Sequence, residues 1–179
     1  MLKKSYLNRL EEIIEMSFHT LEMKLANGGI ISKSESSFQH ELAQLLKVCG
    51  KLYEFNSNEK FNLEMDSYLE LNTSNIKSDS KKARVDILIT LGTEEDYVKG
   101  VVELKFFKKK NHREPKNRYD IFKDISYLES YKDIGIDLNY LVISTDHEHY
   151  VNQTNYSLDT KDFDIRDGKT YTSGNVLEY

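Results

Sequence analysis

From Lys3 to Ala26, apolar side chains recur every three or four residues, at Leu7, Leu10, Ile14, Phe18, Leu21 and Leu25, and Asn27-Gly28-Gly29 follows. That spacing predicts an amphipathic helix with a glycine stop. A second helical pattern opens behind Ser36-Ser37 with Phe38, Leu42, Leu45 and Leu46, and ends at Gly50. The period then drops to two. Phe61, Leu63 and Met65 predict a strand, with a turn-like stretch from Asn72 to Ser80 behind it. Val85-Asp86-Ile87-Leu88-Ile89 and Val101-Val102-Glu103-Leu104-Lys105-Phe106-Phe107 are β-rich runs, each carrying charge in its middle. Phe122, Ile125 and Leu128 mark a third helix over 118–132, and Tyr140-Leu141-Val142-Ile143-Ser144 reads as a short buried strand.

This order, α-α-β-β-β-α-β, has no repeat and no linker rich in Pro, Gly or Ser, and predicts one α/β domain over residues 1–179 with a central mixed sheet flanked by helices. Residues 1–34 hold the N-terminal helix, 35–145 the core, and 146–179 a polar C-terminal segment of loops with room for an edge strand. A mean hydropathy of -0.62 and the lack of a long apolar run argue against a membrane span. Leu7-Asn8-Arg9-Leu10-Glu11-Glu12 puts charge where a signal peptide would be apolar, so a soluble, cytoplasmic chain is expected, with no membrane partner. The single Cys49 leaves no disulfide framework or Cys-based zinc site and reads as a buried helical thiol.

Charge changes the picture through its distribution. The net charge of -5 argues against a protein that coats nucleic acid nonspecifically. Yet residues 105–118 hold seven basic side chains, Lys105, Lys108, Lys109, Lys110, Arg113, Lys116 and Arg118, against one acid, Glu114. An acidic body with one basic segment suits a local anion site, such as a grip on phosphates, as well as it suits a solubilising loop.

Buried strands avoid charge unless it is paired or metal-bound. Alternation sets Glu103 and Lys105 on one face of their strand, with Val102, Leu104 and Phe106 on the other. If the two charged strands form a hairpin through Gly92 to Lys99, Asp86 lies beside Glu103. Neighbouring carboxylates need a cation between them, and hard oxygen ligands of this kind suit Mg²⁺ together with substrate phosphates. A lysine two residues along can position or deprotonate a metal-bound water and stabilise the anionic transition state. The chemistry implied is metal-assisted phosphodiester hydrolysis.

Asp86, followed 17 residues on by Glu103-x-Lys105 in an apolar strand, resembles the PD-(D/E)XK nuclease superfamily, the fold of many restriction endonucleases. Such nucleases usually carry a glutamate on a helix before the first strand, and Phe38-Gln39-His40-Glu41-Leu42 supplies Glu41. The helix after the E-x-K strand matches 118–132, so the resemblance covers about 38–145. Val85 stands where the motif often has proline. The resemblance implies that Asp86, Glu103 and Glu41 hold Mg²⁺, with Mn²⁺ able to substitute, and that Lys105 is catalytic. It also implies a nucleic-acid substrate, DNA before RNA, cut by an endonuclease that is a candidate homodimer.

Further residues are ambiguous. Glu35 reads as a helix-start charge, and Gln39 and Gln44 as alternative phosphate or base contacts. Lys123 and Asp124 flank the expected catalytic face, and Lys123 joins Lys108, Lys109, Lys110, Arg113, Lys116 and Arg118 as a candidate nucleic-acid contact. Asp146-His147-Glu148-His149 lacks a helical i, i+4 His pair and reads as a polar exit loop. Phe106-Phe107 offers base stacking, with half of the pair expected in the core.

Overall fold

The computed structural model describes residues 2–71, 82–152, 155 and 161–172. The elements run α1 (Leu2–Ala26), α2 (Glu35–Leu52), β1 (Lys60–Glu70), β2 (Lys82–Gly92), β3 (Tyr97–Phe107), α3 (Glu114–Ser130) and β4 (Leu138–Thr145). The order is the expected one. The turn-like stretch from Asn72 to Ser80 lies outside the described residues.

The four strands form a sheet ordered β1-β2-β3-β4, antiparallel except for the parallel β3–β4 pair that α3 connects. Parallel neighbours need such a crossover, because a tight turn reverses direction. The β2–β3 hairpin closes at Gly92 opposite Tyr97, where Gly92 has φ 148, a conformation that favours glycine. Thr93 and Asp96 lock the turn, the Thr93 amide donating to the Asp96 carbonyl at 2.8 Å.

Two layers of core clasp the sheet. On one face α1 and α2 pack Leu10, Ile13, Ile14, Phe38, Leu42 and Leu46 against Phe61, Ile87, Ile89, Val102 and Leu104. Helix α2 starts at a Ser34 cap, one turn earlier than the sequence suggested, whose hydroxyl accepts from the Ser37 amide at 3.2 Å. Gly50 lets α2 ride directly on β1, since a Cβ there would stand 2.3 Å from the Phe61 ring. Cys49 is buried in this layer. On the other face Leu128, Tyr131 and Ile136 cover Leu69, Ala83, Val85 and Val101.

The two layers divide β1 and β2 in an unusual way. Ile87 and Ile89 face α1 and α2, whereas Ala83 and Val85, of the same parity, face α3. In β1, Phe61 and Leu63 differ from Leu69 in the same way. A regular strand keeps one parity on one face, so both strands roll over midway, at Asp66 and Asp86. These two residues stand opposite each other, between the Met65–Ile87 and Ser67–Val85 pairs. Asp66 has φ 54, in the left-handed region that aspartate tolerates better than most residues. Beyond the Ile87–Val102 pair, β2 leaves β3 and the sheet forks.

Residues 161–172 cover the outer side of α3 without forming a strand, so the edge strand expected after residue 146 is absent among the described residues. Phe163 meets Phe122 edge-on at 5.4 Å, and Tyr171 meets the same ring at 4.9 Å. Asp164, buried between Arg166 (2.6 Å) and Lys169 (3.2 Å), anchors the segment. No described helix is long and apolar enough to cross a membrane.

Candidate active site

Where β2 departs, two amides of β3 lose their partners. The N–H groups of Leu104 and Phe106 share the strand edge that faced β2, because residues two apart point the same way. Strand amides that lose a neighbour need another acceptor. Carboxylates take both: Asp86 Oδ2 accepts from the Leu104 amide at 2.7 Å, and Glu35 Oε2 from the Phe106 amide at 3.2 Å. The freed Asp86 carbonyl accepts from Gln39 Nε2 at 2.7 Å. Asp86 therefore turns into the gap between strands, with the first turn of α2 closing the gap on one side.

On the α3 side, Lys105 Nζ pairs with Asp124 Oδ2 at 2.9 Å, and both side chains are largely covered. Burial alone would lower the Lys105 ammonium. The Asp124 hydrogen bond, joined by the charges of Asp124, Glu103 and Asp86, holds it above the ordinary lysine value. Glu103 is buried beneath α3, where burial and then the charges of Glu103 and Asp124 push the Tyr131 phenol up. Glu35 feels the same cluster. Burial raises its carboxyl, Lys105 opposes that, and Asp86 and Asp124 reinforce it, so the net direction is up. Five charged side chains from α2, β2, β3 and α3 thus act on one another around the fork.

Glu41 is not among them. It stands six residues from Glu35, about 120° around the helix at roughly 100° per residue. It is half-buried and makes no hydrogen bond or ion pair with Asp86, Glu103 or Lys105 among the described residues. The glutamate that reaches the fork is Glu35. The helical wheel held the signal: Glu35, Gln39, Leu42 and Leu46 lie along one stripe, and three of the four are buried. Gln44 turns outward to His40, away from the fork.

The basic segment separates into three groups. Arg118 is completely buried and is not available to a nucleic acid. It pairs with Glu114, donates to the Phe163 and His149 carbonyls at 3.1 and 2.8 Å, and lies over the Tyr150 ring. Lys116 pairs with Asp120 at 3.0 Å, while Lys108 donates to the Lys33 carbonyl and covers the Phe106 ring. Lys109, Lys110, Arg113 and Lys123 are exposed cations without a carboxylate partner among the described residues. Phe106, half-buried, packs on Phe38, and Phe107, buried, stacks on Tyr150, so both rings already have aromatic partners.

Among the described residues, no three His, Cys, Asp or Glu side chains gather as a ready metal cage, and the 146–149 run is no exception. The fork offers less than a cage but the right atoms. Asp86 engages Oδ2 with β3, and its other oxygen has no described partner. Glu103, which like Asp86 acts on the Lys105 ammonium, adds a second hard donor. That set fits Mg²⁺, which binds through one or two carboxylates and completes its shell with water and phosphate.

Compared with known protein families, curated proteins and solved structures, the chain matches none. The fold and the fork define it as a single α/β domain with a charged cluster where its sheet divides.

Proposed function

We propose that the chain is a Mg²⁺-dependent nuclease with a restriction-endonuclease-like fold of the PD-(D/E)XK type, an endonuclease hydrolysing phosphodiester bonds, in DNA before RNA. The observation that carries this reading is the meeting of Asp86, Glu103 and Lys105 with Glu35 at the sheet fork. A metal ion there supplies Lewis-acid polarisation of a phosphoryl oxygen and a more acidic bound water. Asp86 and Glu103 would hold that ion. Lys105, kept cationic by Asp124, acts as a donor to developing negative charge rather than as a base. Asp124 is its positioning residue, and Gln39 positions Asp86 through the main chain. Glu35 replaces Glu41 as the assisting glutamate.

The test is Mg²⁺-dependent cleavage of plasmid, linear DNA and RNA by wild type, Lys105→Ala and Asp86→Asn, with thermal unfolding as the control for folding. Lys105→Ala should keep binding nucleic acid while losing on the order of 10²–10³ in rate, because its interaction belongs to the transition state. Asp86→Asn should lose cleavage through metal occupancy, with partial recovery in excess Mn²⁺ that Lys105→Ala does not share. A wild type that binds nucleic acid yet cuts none under any divalent metal is a binding module, the reading favoured by the absence of a three-ligand cluster among the described residues.

A further inference from the structure

Beside Lys105 a cleft of about 520 Å³ opens between the start of β2 and α3. Its walls carry Lys82 and Arg84 from β2, and Lys123, Asp124 and Tyr127 from α3, with Lys105 at the base. Neither β2 cation belongs to the 105–118 segment. Lys82 pairs with Glu70 at 2.8 Å and Arg84 with Asp66 at 2.9 Å, and the cationic side chains are 56% and 61% exposed. Such exposed pairs hold weakly and exchange readily for a phosphate. Opposite them Lys123 has no carboxylate partner among the described residues and stands 5.8 Å from the centre of the Tyr127 ring.

Size and depth select the ligand. The volume suits roughly one or two nucleotide units and is too small to admit a double helix. The Lys105 side chain is only 22% exposed, so a phosphate meets it by descending into the cleft. An unpaired strand can bend its backbone down into the cleft, whereas the phosphates of an intact duplex, though exposed, ride on a stiff, wide rod that the cleft does not admit. Tyr127, half-buried in the wall, adds an aromatic surface for the neighbouring base, the combination of cations and ring that single-strand sites use.

We propose that this cleft binds an unpaired nucleic-acid strand, its phosphates between Lys82 and Arg84 on one wall and Lys123 on the other, with a base against Tyr127. The assignment deepens the nuclease reading by naming its substrate as single-stranded nucleic acid or an unpaired end. The experiment is fluorescence anisotropy with the full chain in EDTA, where no turnover is needed. The probes are a short DNA strand, an RNA strand of the same sequence and the corresponding blunt DNA duplex.

Either strand should bind at least about ten-fold tighter than the duplex, and tight binding of one over the other names the sugar while supporting the assignment. Tyr127→Ala should lose about ten-fold in strand affinity, as expected for one stacked base. Tyr127→Leu keeps the bulk without the ring and should lose as much, which separates stacking from misfolding. Replacing Lys82 and Arg84 by alanine together should reduce the log–log salt slope by about 1.4, the value for two single-strand phosphates. A duplex that binds as tightly as the strands overturns the proposal, as does a folded Tyr127→Leu with wild-type affinity. Strand binding without cleavage under any metal preserves the cleft and removes the nuclease reading. Cleavage of duplex without strand preference does the reverse.

Discussion

Arg118→Ala separates a phosphate contact from a structural ion by a wide margin. The guanidinium is wholly buried, so alanine leaves Glu114 without its cation, strips the Phe163 and His149 carbonyls of a donor, and opens a cavity beside Tyr150. Breaking a buried pair by removing one partner costs about 3–5 kcal/mol. The Glu114 side chain retains 15% exposure and can recover some hydration, which favours the lower part of that range. At about 3–4 kcal/mol, and about 2–4 °C per kcal/mol for a chain of this length, the melting temperature should fall by about 6–16 °C. Arg118→Lys should recover little, because an ammonium cannot reproduce the fork that serves a carboxylate and two carbonyls at once.

Scanning calorimetry reads the stability, and salt titration of nucleic-acid binding reads the alternative. The salt slope should stay at its wild-type value at temperatures where the variant is folded. A melting temperature within about 2 °C of wild type, together with a salt slope reduced by about 0.7–0.9, the effect of one phosphate contact, would refute the reasoning.

Gly50→Ala should destabilise by about 1–3 kcal/mol in denaturant titration, because its Cβ would overlap the Phe61 ring, whereas Gly29→Ala meets only ordinary contacts and should change little. Glu35→Gln should raise the melting temperature at pH 7 while slowing cleavage. The folded carboxyl lies above its unfolded value, so ionisation disfavours folding at neutral pH. The gain should therefore shrink as pH falls from the raised folded value to the ordinary carboxylate value, and a melting temperature lowered equally at pH 7 and pH 4 would contradict it. Asp164 has the opposite sign. Burial raises its carboxyl, but hydrogen bonds from Arg166 and Lys169 outweigh this and hold it down at about 2. Its contribution is present above the unfolded value near pH 4 and lost as pH falls towards 2, so the stability gap between wild type and Asp164→Asn should close across that window.

The helices and β2 are legible because periodicity reports burial, whereas β3, buried at consecutive positions, and β4, half-buried throughout, are legible as short apolar runs. Strand parity misleads where it assumes a strand keeps its faces. Val85 and Ile87 look like one apolar face in the sequence, yet they serve opposite cores because the backbone rolls over at Asp86. The site suffered from two local misreadings. Glu41 adjoined the most regular part of the second helix pattern, while Glu35 sat before the expected start and resembled a charge placed for the helix dipole. Moving the cap to Ser34 puts Glu35 inside the helix, at the exposed end of the stripe along which Gln39, Leu42 and Leu46 are buried. Arg118 was grouped by charge with lysines around it. Its partners, Glu114 one turn away and carbonyls more than thirty residues distant, include contacts that no local window contains.

The fork also explains why so much negative charge gathers at one place in the fold. A strand that leaves its neighbour strands amide donors, and a carboxylate side chain is one way to satisfy them. Asp86 and Glu35 satisfy the Leu104 and Phe106 amides, which gives both acids a structural role at that spot. Each carboxylate uses one oxygen for this and keeps a second, which leaves charge that hydrogen bonding to β3 does not neutralise. Lys105 offsets part of it and is itself shared with Asp124. With Glu103 also buried, acids outnumber the single lysine, while the Glu35 carboxyl is raised first by burial and only then, against Lys105, by Asp86 and Asp124. A divalent cation would relieve that excess of acids, and so would protonation. If a cation is the working solution, adding Mg²⁺ should raise the melting temperature of wild type by mass action and should not raise that of Asp86→Asn at the same concentration. Equal stabilisation of both proteins would mean that the fork holds its charges by protonation alone.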